Sequence, residues 1–161
     1  MQGRAASDAA LPCQALREVQ AMGEKFTLLI TDRNRHVREF LQREFAAEGY
    51  DVLAAQDGRD VLKAVEGEMP PDLLVFDPDI PYAEDQEVLE MLTRRFPPLP
   101  VVIHCFPTEH PGHLPAGDRF AIVEKSGNTE LLKGAVAGML RRFHPQRFPE
   151  NERRCPEEGA D

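Results

Sequence analysis

Five short apolar runs separated by amphipathic stretches constrain this chain more than any other feature. The runs are Phe26-Thr27-Leu28-Leu29-Ile30-Thr31, Asp51 to Ala55, Leu73-Leu74-Val75-Phe76, Val101-Val102-Ile103 and Phe120-Ala121-Ile122-Val123. Near-continuous apolar runs of this length suit parallel strands buried on both faces. The stretches between them show helical spacing. The first places Val37, Phe40, Leu41 and Phe45 on one stripe, with Asn34 fit to cap it and Gly49 to close it. The second, Gly58 to Glu66, presents Val61, Leu62 and Val65. The third, Asp85 to Arg95, presents Val88, Leu89 and Leu92. The last, Asn128 to Arg142, carries Leu131, Leu132, Ala135, Val136, Met139 and Leu140. Strands alternating with helices imply a parallel sheet covered on both faces.

The alternation breaks once. Phe106 to Gly117 holds three prolines and two glycines, so a regular helix between strands four and five is not expected. The flanks differ from the middle. Residues 1–24 form a leader in which Leu11 to Met22 suits a short helix, residues 25–143 form the domain, and residues 144–161 have the proline-rich, charged composition of a disordered tail. The net charge of −9 would repel a phosphate backbone, which argues against nucleic acid as a partner. No apolar run approaches a membrane span, and the N-terminus lacks the apolar core of a secretory signal. Cys13, Cys105 and Cys155 are odd in number and widely spaced, which argues for a reducing, cytoplasmic setting rather than a disulfide framework.

Three polar residues mark strand ends: Asp32 after the first run, Asp77 after the third and Lys125 after the fifth. In a doubly wound sheet, sites gather at the C-terminal edge of the strands. Two carboxylates and an ammonium meeting there would make a pocket for a phosphoryl group. Polar residues at strand ends are common, so the pattern counts because it occurs three times.

These positions fall in blocks that resemble the receiver domain of bacterial two-component response regulators, over roughly Phe26 to Phe143. The blocks are Leu28-Leu29-Ile30-Thr31-Asp32 with Val37-Arg38-Glu39-Phe40-Leu41, then Pro71-Asp72-Leu73-Leu74-Val75-Phe76-Asp77-Pro78-Asp79-Ile80-Pro81, then Ile122-Val123-Glu124-Lys125-Ser126-Gly127. The resemblance implies a flavodoxin-like α/β fold with five parallel strands in the order 2-1-3-4-5. It implies that Asp77 accepts phosphate, that Lys125 senses it, and that Asp32, Asp77 and the backbone carbonyl of Asp79 hold Mg2+. A histidine kinase or another signalling protein would be the partner, with no assigned small-molecule substrate. Enzymatic activity would be limited to self-phosphorylation and dephosphorylation at Asp77.

Several positions depart from the family pattern. A second acid normally follows the first strand, and Arg33 stands there instead, a cation that would repel Mg2+ and could pair with Asp77. Cys105 takes the usual Ser/Thr position, and a thiol is a weak donor to a phosphoryl oxygen. Phe106 replaces the small residue after it, Ile122 the switch aromatic, and Ser126 the proline after the lysine. The chain therefore reads as a stand-alone receiver acting by protein contact, either phosphorylated at Asp77 or binding partners without phosphorylation. Two further readings compete. Asp77-Pro78-Asp79 matches the DxD of haloacid-dehalogenase-like phosphatases, with Asp77 as nucleophile and Asp79 as acid/base. His104, Cys105, His110 and His113 offer zinc-ligand chemistry, at a spacing that fits no closed tetrahedral site.

Overall fold

The computed structural model describes residues 25–107 and 117–148. Five strands form one parallel sheet: β1 (Thr27–Thr31), β2 (Asp51–Ala55), β3 (Leu73–Phe76), β4 (Val101–Cys105) and β5 (Phe120–Glu124). Their order is β2-β1-β3-β4-β5, as expected. Register follows the apolar runs, with Leu29 beside Leu74, Val75 beside Val102 and Ile103 beside Ile122.

Among the described residues four α-helices cover the sheet: α1 (Arg35–Ala47), α2 (Gly58–Val65), α3 (Gln86–Arg94) and α4 (Glu130–Phe143). Asn34 caps α1 by accepting the N–H of His36 at 2.9 Å, and Asp57 caps α2 by accepting that of Asp60 at 2.9 Å. Gly49 ends the α1 turn at φ 99°, a conformation that glycine adopts without a Cβ penalty.

The strand period of two splits the core into halves. On one face Leu29, Leu74, Phe76, Val101, Ile103 and Cys105 pack with Val61 and Val65 of α2 and Val88 and Leu92 of α3. On the other, Leu28, Ile30, Leu73, Val75 and Val102 pack with Leu41 and Phe45 of α1 and Leu132, Val136, Met139 and Leu140 of α4.

Two expectations are adjusted. Leu131 is 69% exposed, although it belongs to the apolar stripe read from the sequence, because the buried arc of α4 begins at Leu132. Residues His144–Phe148, assigned to the tail on composition, pack against the start of β1. Arg147 pairs with Asp72 at 2.8 Å, and Phe148 stacks on Phe26 at 5.3 Å. The leader, the rest of the tail and the proline-rich stretch 108–116, including the helix expected to be lost there, lie outside the described residues. Among the described residues no helix is long and apolar enough to cross a membrane.

Phe45 is completely buried whereas Leu131 is largely in solvent. Phe45→Ala should cost about 3–5 kcal/mol in urea unfolding, and Leu131→Ala less than about 0.5 kcal/mol.

Candidate functional site

Asp32, Asp77 and Lys125 each lie one residue beyond a strand: β1, β3 and β5 respectively. The parallel sheet brings all three to one edge, where Asp32 is 1% and Asp77 0% exposed. β5 is two strands from β3, roughly 10 Å at the usual strand spacing. The long arm of Lys125 bridges much of that gap. Its Nζ lies 3.0 Å from Asp77 Oδ2, to which it donates a hydrogen bond, and 2.8 Å from Asp32 Oδ2. The Asp32 contact is a close charge pair off the ideal hydrogen-bond axis, so buried Oδ2 gains no well-directed donor among the described residues. Burial alone would lower the amine's pKa. The contacts with Asp32 and Asp77 and their negative charge outweigh burial, so Lys125 stays protonated above its ordinary value of 10.5.

The chain's own donors engage both oxygens of Asp77. Oδ1 accepts the backbone N–H of Asp79 at 2.9 Å, and Oδ2 accepts that of Arg33 at 3.1 Å as well as Lys125. Thr31 fixes the approach from behind: its Oγ1 accepts the N–H of Asp77 at 2.9 Å and donates to the carbonyl of Val75 at 3.1 Å. Asp32 is held by the Asn34 N–H at 2.8 Å on Oδ1, and its carbonyl accepts from Arg38 Nη1 at 2.6 Å. The sequence reading gave Thr31 and Arg38 no role at the site. The available signals were a hydroxyl inside a buried strand and a cation one turn into the next helix.

Arg33 turns toward the acids. Its Nε is 4.0 Å from Asp77 Oδ2 and its Nη2 is 3.5 Å from Asp79 Oδ2. The side chain is 40% exposed, so solvent screens these pairs. Phe106 faces both cations, its ring centroid 5.6 Å from Arg33 Cζ and 5.2 Å from Lys125 Nζ. Cys105 is fully buried in the core facing α2 and α3. Its carbonyl accepts the Lys125 N–H at 2.8 Å. The peptide bond from Lys125 to Ser126 is trans, the one cis bond among the described residues being Phe96–Pro97.

The zinc reading is not supported where it can be examined. Cys105 faces α2 and α3, while His104 lines a cavity with Leu41 and Leu132 on the opposite face. His110 and His113 lie outside the described residues. No group of three or more His, Cys, Asp and Glu among the described residues is placed to hold a metal.

Mg2+, implied by the receiver resemblance, fits the donor set poorly. The two buried carboxylates already share one ammonium, and a guanidinium stands where a third acid would be. Asp79 pairs its carboxylate with that guanidinium, and Asn34 uses its side-chain oxygen to cap α1. Among the described residues Asp32 Oδ2, which has the Lys125 ammonium at 2.8 Å but no well-directed hydrogen bond, is the oxygen best placed to accept a further cation.

Comparison with known proteins places this geometry in context. The response regulator receiver domain matches residues 28–112, more than half of the chain. A response regulator MprA from Mycobacterium sp. (strain KMS) is 30% identical over 127 residues, covering 77% of this chain and 54% of that protein. MprA of Mycolicibacterium vanbaalenii is 36% identical over 76 residues, covering 47% of this chain and 32% of the relative. The chain thus spans about a third to a half of the length of these relatives. The crystal structure of response regulator TrrA from Thermotoga maritima, in complex with Mg2+-BeF, is similar with a TM-score of 0.61 and 27% identity, covering 73% of this chain and all of that one.

Removing Lys125 leaves two buried carboxylates without their shared counter-ion. Lys125→Met should cost about 3–5 kcal/mol in urea unfolding at pH 7. Because the folded-state pKa of this amine is raised, its contribution is fully present below 10.5 and is lost as pH rises through the folded value. The gap between wild type and variant should stay level from about pH 7 to 9 and shrink only in strong alkali.

Proposed function

The chain belongs to the response regulator receiver domain family, and from that premise we propose that it relays signals by protein contact without metal-assisted phosphorylation of Asp77. The observation that carries this reading is the engagement of both Asp77 carboxylate oxygens by the chain's own donors. Three donors within 3.1 Å occupy its oxygens, and two cations share its charge. A carboxylate so engaged is a weak nucleophile. Phosphoryl transfer relies almost wholly on positioning and on electrostatic neutralisation of the moving group. Here the cation that would do this is the side chain of Arg33, tied to Asp77 and Asp79.

On this reading Asp77 is a structural remnant of a phosphoacceptor, and Lys125 holds the edge of the sheet in one arrangement. The partner is a histidine kinase or another signalling protein that recognises this fixed surface. A second reading has its own support. Asp32, Asp77 and Lys125 are all present and converge, so Arg33 and Lys125 together could gather a phosphoryl group onto Asp77. The phosphatase reading has less support, because Asp79 directs its carboxylate to Arg33 and the family match is to receiver domains.

Incubation with acetyl phosphate, with and without Mg2+, followed by intact-mass measurement separates the readings. The proposal predicts no phosphoryl adduct on wild type or Asp77→Asn in either condition. A Mg2+-dependent phosphoryl adduct in wild type that disappears in Asp77→Asn would overturn it.

A further inference from the structure

Among the described residues β2 pairs with β1 alone and forms one edge of the sheet. The N–H of Asp51 donates to the carbonyl of Phe26 at 3.0 Å, so Asp51, Leu53 and Ala55 turn their backbone groups toward β1. Backbone groups alternate sides along a strand, so Val52 and Ala54 present their N–H and C=O outward. Edge strands are usually guarded by lysine, proline or a bulge. Asp51-Val52-Leu53-Ala54-Ala55 has none of these, and its one charge stands at its first residue. Leu53 shares the face of Leu29 and is 45% exposed.

We infer that a second copy of this chain adds its β2 antiparallel to this edge, joining the two sheets into one. A two-fold axis through Leu53 sets Val52 opposite Ala54 of the second copy, and Ala54 opposite its Val52. Each such pair exchanges two hydrogen bonds in an antiparallel ladder. Leu53 then meets its own counterpart in a non-hydrogen-bonded pair, where side chains approach most closely. A symmetric contact between identical chains needs this self-complementarity.

Charge beside the strand favours a second copy over an unrelated extended segment. A groove of about 600 Å3 runs between α1 and β2, lined by Glu39, Gln42, Arg43, Ala46, Tyr50 and Val52. Glu39 pairs with Arg35 of its own helix at 2.8 Å, whereas among the described residues Arg43 has no ion-pair partner. Leu41 is the middle residue of α1 as Leu53 is of β2. The axis that suits the strands therefore sets the two α1 helices antiparallel across the groove, with Arg43 of each toward Glu39 of the other. A lone strand would bring no such acid. The antiparallel arrangement points the two Asp77 edges in opposite directions and leaves both open to partners. This inference does not depend on whether Asp77 is phosphorylated.

The test is sedimentation equilibrium of the whole chain over about 5–500 μM, the range in which a small interface associates. Each copy carries a net charge of −9, so the buffer holds about 0.15 M salt, which screens charges beyond about 8 Å. Wild type should pass from monomer to dimer across this range. In a sample mixing isotope-labelled and unlabelled chains, NMR should show an Hα–Hα contact between Leu53 and its counterpart. Leu53→Lys sets like charges on the axis and should weaken the dimer by more than about tenfold. Ala54→Pro removes an outward N–H that the monomer leaves unpaired, so it should abolish the dimer while the amide spectrum stays folded. Arg43→Glu should weaken association, and adding Glu39→Arg should restore it. A monomer at every concentration, including the case where residues 1–24 already occupy the edge, would overturn the inference. So would a dimer that survives both Leu53→Lys and Ala54→Pro, or intermolecular contacts on another face.

Discussion

A buried ammonium shared by two buried carboxylates is the interaction on which the functional edge of this protein depends. Each of these ions alone would carry a desolvation penalty of several kcal/mol. Together, at 2.8 and 3.0 Å, they offset one another and tie the ends of β1, β3 and β5 into one unit. The strands make this possible. A parallel sheet in the order β2-β1-β3-β4-β5 presents all three ends on the same side. The bond from the Lys125 N–H to the Cys105 carbonyl then fixes where the lysine starts its reach. Thr31 supplies the matching constraint beneath Asp77.

Charge explains the rest of the cluster. Asp32 and Asp77 bring two negative charges, and Lys125 and Arg33 bring two positive ones. The two buried acids are thus matched by the chain's own cations, and Asp79 adds a third, partly exposed carboxylate that anchors Arg33. In a receiver with another acid in place of Arg33, the same sheet edge would carry a negative surplus that favours a divalent cation. Here Arg33 cuts that surplus, leaving three carboxylates against two cations. Phe106 covers part of both cations with an aromatic face, which is compatible with charges that stay in place.

Much of this was legible in the sequence, for physical reasons. The alternation of strands and helices followed from apolar runs separated by helical stripes, and the strand order from the resemblance to receiver domains. Asp32, Asp77 and Lys125 were visible because the polar residue after a buried strand has only one place to go. Arg33 stood out as a cation where an acid is usual, and its inward turn was a plausible outcome of its neighbours' charge. Other features were hidden. The exposure of Leu131 depends on the rotation of α4 over the sheet, which its apolar stripe leaves open by about a residue. The packing of His144 to Phe148 depends on Asp72 and Phe26, more than seventy residues away in sequence. Composition alone made that segment look like a tail. The cavity beside His104 is a property of how α1 and α4 meet, and no local pattern encodes it.

The central claim is that Arg33 and Lys125 together have taken the place of a divalent cation at Asp77. Calorimetric titration of Mg2+ into wild type and Arg33→Asp tests it most directly. The account predicts no saturable heat for wild type up to millimolar Mg2+ and measurable binding once an acid replaces the arginine. Equal or tighter Mg2+ binding by wild type would contradict it.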